Sequence, residues 1–318
     1  MPFCLSLNKG VEIAKIKGKH AKKDENIFIN ECSYNSKPEL NTTMDNKIKI
    51  FENYLRHDTK LLKKDIQLLI DAFSNGYTEL DTNKPKLNNK YDEAVDYVNE
   101  ALKRFMNFDE QTFIYPILPK RHWIGYCTGL SGSGKSYYIS QLIKNNFKED
   151  QLIFLFSPVE DDRAFQDLNI FHIHLETFEQ EFGQPFTIEM LAGTEIEPHI
   201  VIMDDIHTFN NKKIRDMYIN VQTQLLERGR HLHLRSLSVS HNPMAGQLTK
   251  AAIRESEFYI VFPSTNYRDS KMLLSTYTGL SKQEIEEILK LRTRGVMIKK
   301  SVPSYYVSDH NIGLLGKS

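Results

Sequence analysis

The chain has 318 residues, room for about two domains, and its 40% hydrophobic content is enough to build a real core. Lysine plus arginine and aspartate plus glutamate both total 41, so a histone-like or tail-driven polycation is excluded and any contact with a polyanion must come from local patches. The longest apolar stretches, such as Leu152 to Phe156 and His199 to Met203, fall far short of the roughly 20 residues that a membrane span needs. Three widely spaced cysteines, Cys4, Cys32 and Cys127, contain no CxxC pair and argue against a disulfide framework or a zinc finger. The first residues carry Pro2, Cys4 and Lys9 but no basic segment ahead of an apolar one, so neither a signal nor a transit peptide is expected.

In chain order, Val11 to Lys17 and Ile27 to Asn30 read as short strands flanking a charged turn, His20 to Glu25, an opening hairpin. Two helices follow: Thr59 to Phe73, with Leu61, Leu62, Ile66, Leu69 and Ile70 on one face, and Tyr91 to Phe105, with Ala94, Val98, Ala101 and Leu102. The polar runs Asn35 to Asn46 and Asp81 to Lys90 read as exposed loops. Residues 1–110 are thus expected to form a small α+β or helical domain, and residues 111–121, with Pro116 and Pro119, a linker.

From 122 to 318 short, nearly continuous apolar runs alternate with helical stretches, the pattern of a parallel sheet buried on both faces. The expected strands are Trp123 to Thr128, Leu152 to Ser157, Ile200 to Asp204, Ser236 to Ser240 and Phe258 to Phe262, with helices at Lys135 to Asn145, Lys212 to Glu227 and Gly246 to Glu255. Ser281 and Glu284 have capping-box spacing ahead of Ile285, Ile288 and Leu289. Val296 to Lys299 and Tyr305 to Val307 read as a closing hairpin.

The sharpest motif is Gly129-Leu-Ser131-Gly132-Ser133-Gly134-Lys135-Ser136, a complete GxxxxGK[ST] between an apolar strand and a helix. Glycines let successive backbone N–H groups converge on phosphate oxygens, and the helix N-terminus adds its positive end. Lys135 is expected on the β- and γ-phosphates and Ser136 on Mg²⁺. A metal held by one hydroxyl and phosphates needs further oxygen ligands. Ile200-Val-Ile-Met203-Asp204-Asp205 supplies them at the carboxyl end of a buried strand, where open α/β sheets bind ligands. Asp204 is assigned to the Mg²⁺ shell and Asp205 to orienting or deprotonating the attacking water; the bland alternative is that both acids cap the next helix. Tyr137 and Tyr138 follow the loop; Tyr137 is counted with the nucleotide contacts, although helix packing is the ordinary fate of such residues.

Arg228, Arg230 and Arg235 cluster around Gly229 after the helix beginning near Lys212. An arginine delivered to a neighbouring subunit's γ-phosphate would stabilise the transition state and would demand a homo-oligomer. The alternative is a helix C-terminus whose cations offset the dipole. Lys15, Lys17, Lys19, Lys22 and Lys23 form a second basic cluster, either an edge facing DNA or a solvated turn. His172 with His174, and His231 with His233, each place two imidazoles on one face of an expected strand, as metal ligands or as structural histidines.

An apolar run between the phosphate loop and the acidic strand resembles the additional-strand division of P-loop ATPases, which includes the RecA-like, AAA+ and FtsK/HerA groups. The order GLSGSGKS, LIFLFSPVEDD, IVIMDDIHT, LLERGRHLHLRSLSVSHNP, FYIVFPS is similar to the ATPases of large and giant double-stranded DNA viruses, nearest the poxvirus-type virion DNA-packaging ATPases of the FtsK/HerA superfamily. The resemblance covers about residues 120–315 and is most specific in the phosphate loop and acidic strand. It implies a three-layer α/β P-loop NTPase with a mostly parallel sheet, Asp204 and Asp205 as the acidic pair, Arg230 as the favoured finger, and a polar sensor where Ser240 and His241 stand. The ordinary reading of those two is a strand-to-turn transition before Pro243. His241 replaces the Gln frequent in that superfamily, and Asp205 the Glu that many members carry. The implied activity is Mg²⁺-dependent ATP hydrolysis powering packaging of double-stranded DNA or a related virion-assembly step, in the host cytoplasm at a viral factory or in the virion. The alternative is a nucleotide-binding scaffold that holds other virion proteins with little or no turnover.

Overall fold

A computed structural model describes residues 3–18, 25–31, 44–56, 61–160, 162–243 and 246–316. Lys19, Lys22 and Lys23 of the basic cluster, residues 35–43 of the first polar run, Cys32, and the expected helix start at Thr59 lie outside the described residues.

The chain opens with β1 (Phe3–Ser6), β2 (Val11–Gly18) and β3 (Asn26–Glu31), then α1 (Met44–Arg56), α2 (Lys63–Ser74), α3 (Pro85–Arg104), β4 (Phe105–Asn107) and β5 (Thr112–Pro116). The expected hairpin is present as the antiparallel pair β2–β3, with a bulge between Glu12 and Ala14 that lets Ile13, Ala14 and Ile16 all turn inward. Two expected loops are corrected. Helix α1 starts at Met44, inside the first polar run, and buries Phe51 and Leu55 a turn apart. Helix α3 begins at Pro85, inside the second, because proline is tolerated in the first turn and Asn88 fixes the entry by accepting from the Thr82 N–H and hydroxyl at 3.1 and 2.6 Å.

The expected linker is also corrected, since residues 112–116 are strand β5, paired antiparallel with β2 in a four-stranded sheet of order β1-β3-β2-β5. Thr112, Ile114 and Pro116 point inward while Phe113 is exposed, a two-residue period that the prolines obscured. Proline is compatible with β5 because it is an edge strand.

The remaining elements are β6 (Ile124–Thr128), α4 (Lys135–Asn146), β7 (Ile153–Phe156), β8 (Ile170–His172), α5 (Phe178–Phe182), β9 (His199–Asp204), α6 (Lys212–Arg228), β10 (Leu234–Ser240), α7 (Gln247–Glu255), β11 (Phe258–Val261), α8 (Tyr267–Tyr277), α9 (Lys282–Leu289), β12 (Val296–Lys299), β13 (Ser304–Ser308) and β14 (Asn311–Leu315). They build a ten-stranded sheet, β4-β14-β13-β12-β11-β6-β10-β9-β7-β8. The run from β11 to β8 is parallel, and β12, β13, β14 and β4 extend it antiparallel.

Three layers result. Helix α4 and the inner face of the small sheet cover one side, packing Ile139, Leu142 and Ile143 with Ile13, Ile16 and Ile114 against Cys127, Ile202 and Val239. Helices α6 to α9 cover the other through Tyr218, Leu225, Ile253, Leu273 and Ile288. Helices α1–α3 have their own core around Phe51, Leu69 and Tyr91. The fold is therefore mixed α/β with a large, mostly parallel sheet, as expected of a P-loop NTPase. The strand inserted between β6 and β9 in space is β10; β7, whose position in sequence suggested that role, lies beyond β9. Among the described residues no helix is long and apolar enough to cross a membrane.

Candidate nucleotide-binding site

Parallel strands deliver their carboxyl ends to one edge of the sheet. Register pairs Thr128 of β6 with Ser240 of β10, Val239 with Asp204 of β9, and Met203 with Phe156 of β7. The phosphate loop, both carboxylates, His241 and Ser157 therefore share that edge. The loop's shape is set by glycine: Gly132 and Gly134 have φ of +74° and +91°, and a Cβ on Gly129 would lie 2.6 Å from Ser133 Oγ. Helix α4 starts at Lys135 with Gly134 as N-cap, so its first amides have no side-chain cap and face the loop's mouth. Ser131 and Gly132 are exposed at the rim, and the buried Ser133 hydroxyl has no partner among the described residues.

Lys135 is only 7% exposed, and its ammonium donates to the Gly129 and Leu130 carbonyls at 3.0 and 3.3 Å and lies 2.9 Å from His241 Nδ1. Asp205 sits in the left-handed region at φ +46°, which a short polar side chain tolerates. Both its oxygens engage His241, one accepting from the backbone N–H at 2.9 Å and the other 2.6 Å from Nε2. With Nε2 carrying the proton, the imidazole donates to Asp205 and accepts from Lys135, a continuous chain from carboxylate to ammonium. Asp204 accepts from the Ser157 hydroxyl at 3.3 Å, and burial, then the neighbouring charge of Asp205, pushes its pKa up to about 7. A buried carboxylate pressed against another is a site that a divalent cation would relieve, and one hydroxyl with one carboxylate is a hard-oxygen donor set suited to Mg²⁺. Ser157 was missed in the sequence, though it ends an apolar strand just as Asp204 does.

The arginines separate. Arg235 is buried in β10 at the opposite end of the sheet, donating to Gln151 Oε1 at 3.1 Å, to the Pro198 carbonyl at 2.9 Å and to the Lys120 carbonyl, with its guanidinium 4.4 Å from the Phe147 ring centre. Arg228 pairs with Glu189 on the surface, and Arg230 is exposed in the turn after α6. All three lie toward the amino ends of the parallel strands, opposite the phosphate loop of their own chain, because α6 leads back to the start of β10, where Arg235 stands. His231 and His233 occupy that turn and not a strand, with His233 at φ +52°. His172 and His174 lie with ring centres 4.3 Å apart and planes tilted by 39°, and His172 Nε2 lies 3.0 Å from the Ser157 carbonyl. Among the described residues no group of three or more His, Cys, Asp or Glu could hold a metal ion. Of the amino-terminal lysines, Lys15 and Lys17 are drawn to Asn145 of α4.

No protein-family model matches the chain. It is 28% identical over 217 residues, 66% of its own length and 85% of the other's, to the uncharacterized protein V3 of Sputnik virophage. Among solved structures it is similar to the genome packaging NTPase B204 of Sulfolobus turreted icosahedral virus 2 in complex with sulfate, at 13% identity, TM-score 0.36, and 63% and 98% coverage of the two chains. It is also similar to the pCW3 conjugation coupling protein TcpA with ATPgS, at 13% identity, TM-score 0.39, and 64% and 65% coverage. The chain thus has a virophage protein as a relative in sequence, and a viral genome-packaging NTPase and a conjugation coupling protein as neighbours in structure.

Proposed function

We propose that this chain binds ATP with Mg²⁺ at the carboxyl edge of its parallel strands, hydrolyses it, and couples hydrolysis to moving double-stranded DNA or to a related step of virion assembly. The observation that carries the reading is the phosphate loop itself, with left-handed glycines, uncapped helix amides and a buried lysine facing a carboxylate pair. Gly129, Ser131, Gly132, Ser133, Gly134 and the first amides of α4 would hold the phosphates. Ser136 and Asp204 would hold Mg²⁺, which when bound offsets phosphate charge. Asp205 would orient and deprotonate the attacking water, and His241 is its positioning partner. A triphosphate competes with His241 for Lys135, so filling the cradle would loosen the chain that occupies both oxygens of Asp205. Arg230, exposed and far from its own cradle, would act only on a neighbouring copy, with Arg228 the second choice. A viral setting is supported by the virophage relative. Helices α1–α3, with a core of their own, are proposed to hold DNA or virion partners.

Lys135→Ala tests this directly. Turnover is expected to fall roughly 10²–10³-fold or more at any Mg²⁺ concentration, as when a preorganised donor to developing charge is removed. Full activity in that variant rejects the assignment. Stimulation by double-stranded DNA that weakens with salt separates a motor from a scaffold that binds ATP without turning it over.

A further inference from the structure

Resting on the nucleotide site proposed above, we infer that Tyr137 and Arg294 form its nucleobase platform and that the platform stacks a purine without selecting adenine over guanine. If the amides at the start of α4 hold phosphates, the ribose and base extend over the next exposed side chain of the helix. That side chain is Tyr137, 52% exposed, whereas Tyr138 turns inward edge-on to Phe262 at a centroid distance of 5.9 Å. An aromatic ring left in water at the mouth of an anion cradle offers a base its π-face.

Arg294 completes the surface from the opposite side of the chain's topology, in the loop ahead of β12, with its guanidinium 5.7 Å from the Tyr137 ring centre. Its loop is anchored while its head is exposed. Asp309 accepts from the Thr293 hydroxyl at 2.9 Å and from the Arg294 N–H at 3.3 Å, and Ser264 donates to the Thr293 carbonyl at 3.2 Å. Gly295 lies so close to the Tyr138 ring that a Cβ there would meet it at 2.8 Å, which fixes how near the loop comes to α4. Tyr115 of β5 adjoins the pair; burial first, then the proximity of Tyr137 and Asp309, holds its hydroxyl above the ordinary tyrosine range.

The chemistry then sets the preference. A phenol ring with a guanidinium stacks any base but gains most from the larger purine, and the guanidinium fork matches O6 and N7 of guanine at least as well as N7 of adenine. The platform has no side-chain amide, the group that pairs with the adenine N6 and N7 edge.

The test compares binding of Mg-ATP, Mg-GTP and Mg-tripolyphosphate by calorimetry, because tripolyphosphate fills the cradle without a base. In the wild-type chain GTP should bind within about threefold of ATP. Tyr137→Ala should weaken both nucleotides roughly five- to a hundredfold and leave tripolyphosphate within about twofold. Tyr137→Phe should keep nucleotide binding, and Arg294→Ala should weaken nucleotides in the same selective way. Tyr137 is exposed, so an unchanged thermal midpoint verifies the fold. If Tyr137→Ala shifts all three ligands equally or none of them while Lys135→Ala still weakens all three, the platform is wrong and the cradle stands. If Lys135→Ala weakens none, the cradle itself fails and the platform with it.

Discussion

The two ends of the same parallel strands treat charge in opposite ways. At their amino ends burial pushes Glu257 up, but Lys299 at 3.0 Å and Arg121 at 3.0 Å more than offset it and hold the carboxyl below its ordinary range. Arg235, there too, is surrounded by acceptors. At their carboxyl ends Asp204 faces Asp205, and Lys135 reaches carbonyls and an imidazole without a direct carboxylate partner. Unpartnered polar atoms do not separate the two ends, since among the described residues Ser236 Oγ and Arg235 Nε lack partners as Ser133 Oγ does. The carboxylates do: Glu257 has two cations at 3.0 Å, whereas Asp204 has the like charge of Asp205 beside it, and that marks the edge where a ligand's cation would complete the balance.

The largest effect that tests this contrast is on turnover. Asp205→Asn keeps the hydrogen-bonding shape but removes the base, so the rate should fall about 10²–10⁴-fold with the thermal midpoint little changed. A steady-state ATPase assay with a melting curve reads both, and a variant that melts early while retaining its rate would put Asp205 among structural residues.

At the other end the expected loss is in stability. Burial lowers the pKa of Arg235 to about 10, yet its donors serve three acceptors, two of them backbone carbonyls that Arg235→Ala would strand. The expected cost is about 2–4 kcal/mol in chemical denaturation, with catalysis unaffected in whatever chain remains folded. Loss of turnover without loss of stability would make Arg235 functional after all.

An effect of opposite sign belongs to Asp204. Folding raises its pKa from the ordinary 3.8 to about 7. Between those values the folded chain keeps a proton that the unfolded chain has released, so stability falls as pH rises across the window and is level above it. Asp204→Asn should therefore stabilise the nucleotide-free chain by up to about 4 kcal/mol at pH 8, with the gain vanishing near pH 4. A gain independent of pH would mean that neither burial nor the charge of Asp205 raises the pKa of Asp204.

The candidate site at the carboxyl edge was legible in the sequence because its residues are set by local chemistry. Gly132, Gly134, Lys135 and Ser136 stand in one turn, and Asp204 and Asp205 end one strand, so no knowledge of distant packing was needed. Much less of the rest was legible there. Strand β5 was hidden by Pro116 within it and Pro119 beyond it, and β14 by Gly313, which is required because a Cβ there would meet the Tyr306 ring at 2.6 Å. Arg235 looked like Arg230 in sequence because burial depends on which strand follows the turn. Arg294 was invisible for the converse reason: only the return of β12 to β11 brings its loop to Tyr137.

The smallest expected effect sharpens the comparison among the arginines. Arg228 and Glu189 pair at the surface with both side chains about half exposed, at 48% and 51%. Water and salt screen such a pair, and ordering two long side chains opposes it. Arg228→Ala should therefore move the thermal midpoint by no more than about 2 °C and leave the rate of a dilute sample unchanged. Arg230→Ala should be equally silent in stability, but a copy carrying it should regain turnover when mixed with a copy carrying Asp205→Asn if an arginine crosses between neighbours. If Arg228→Ala complements and Arg230→Ala does not, the finger is Arg228 and its bond to Glu189 is a resting position; if neither does, both arginines are cations at the carboxyl end of α6 that offset its dipole, while Arg235 serves the sheet through uncharged acceptors.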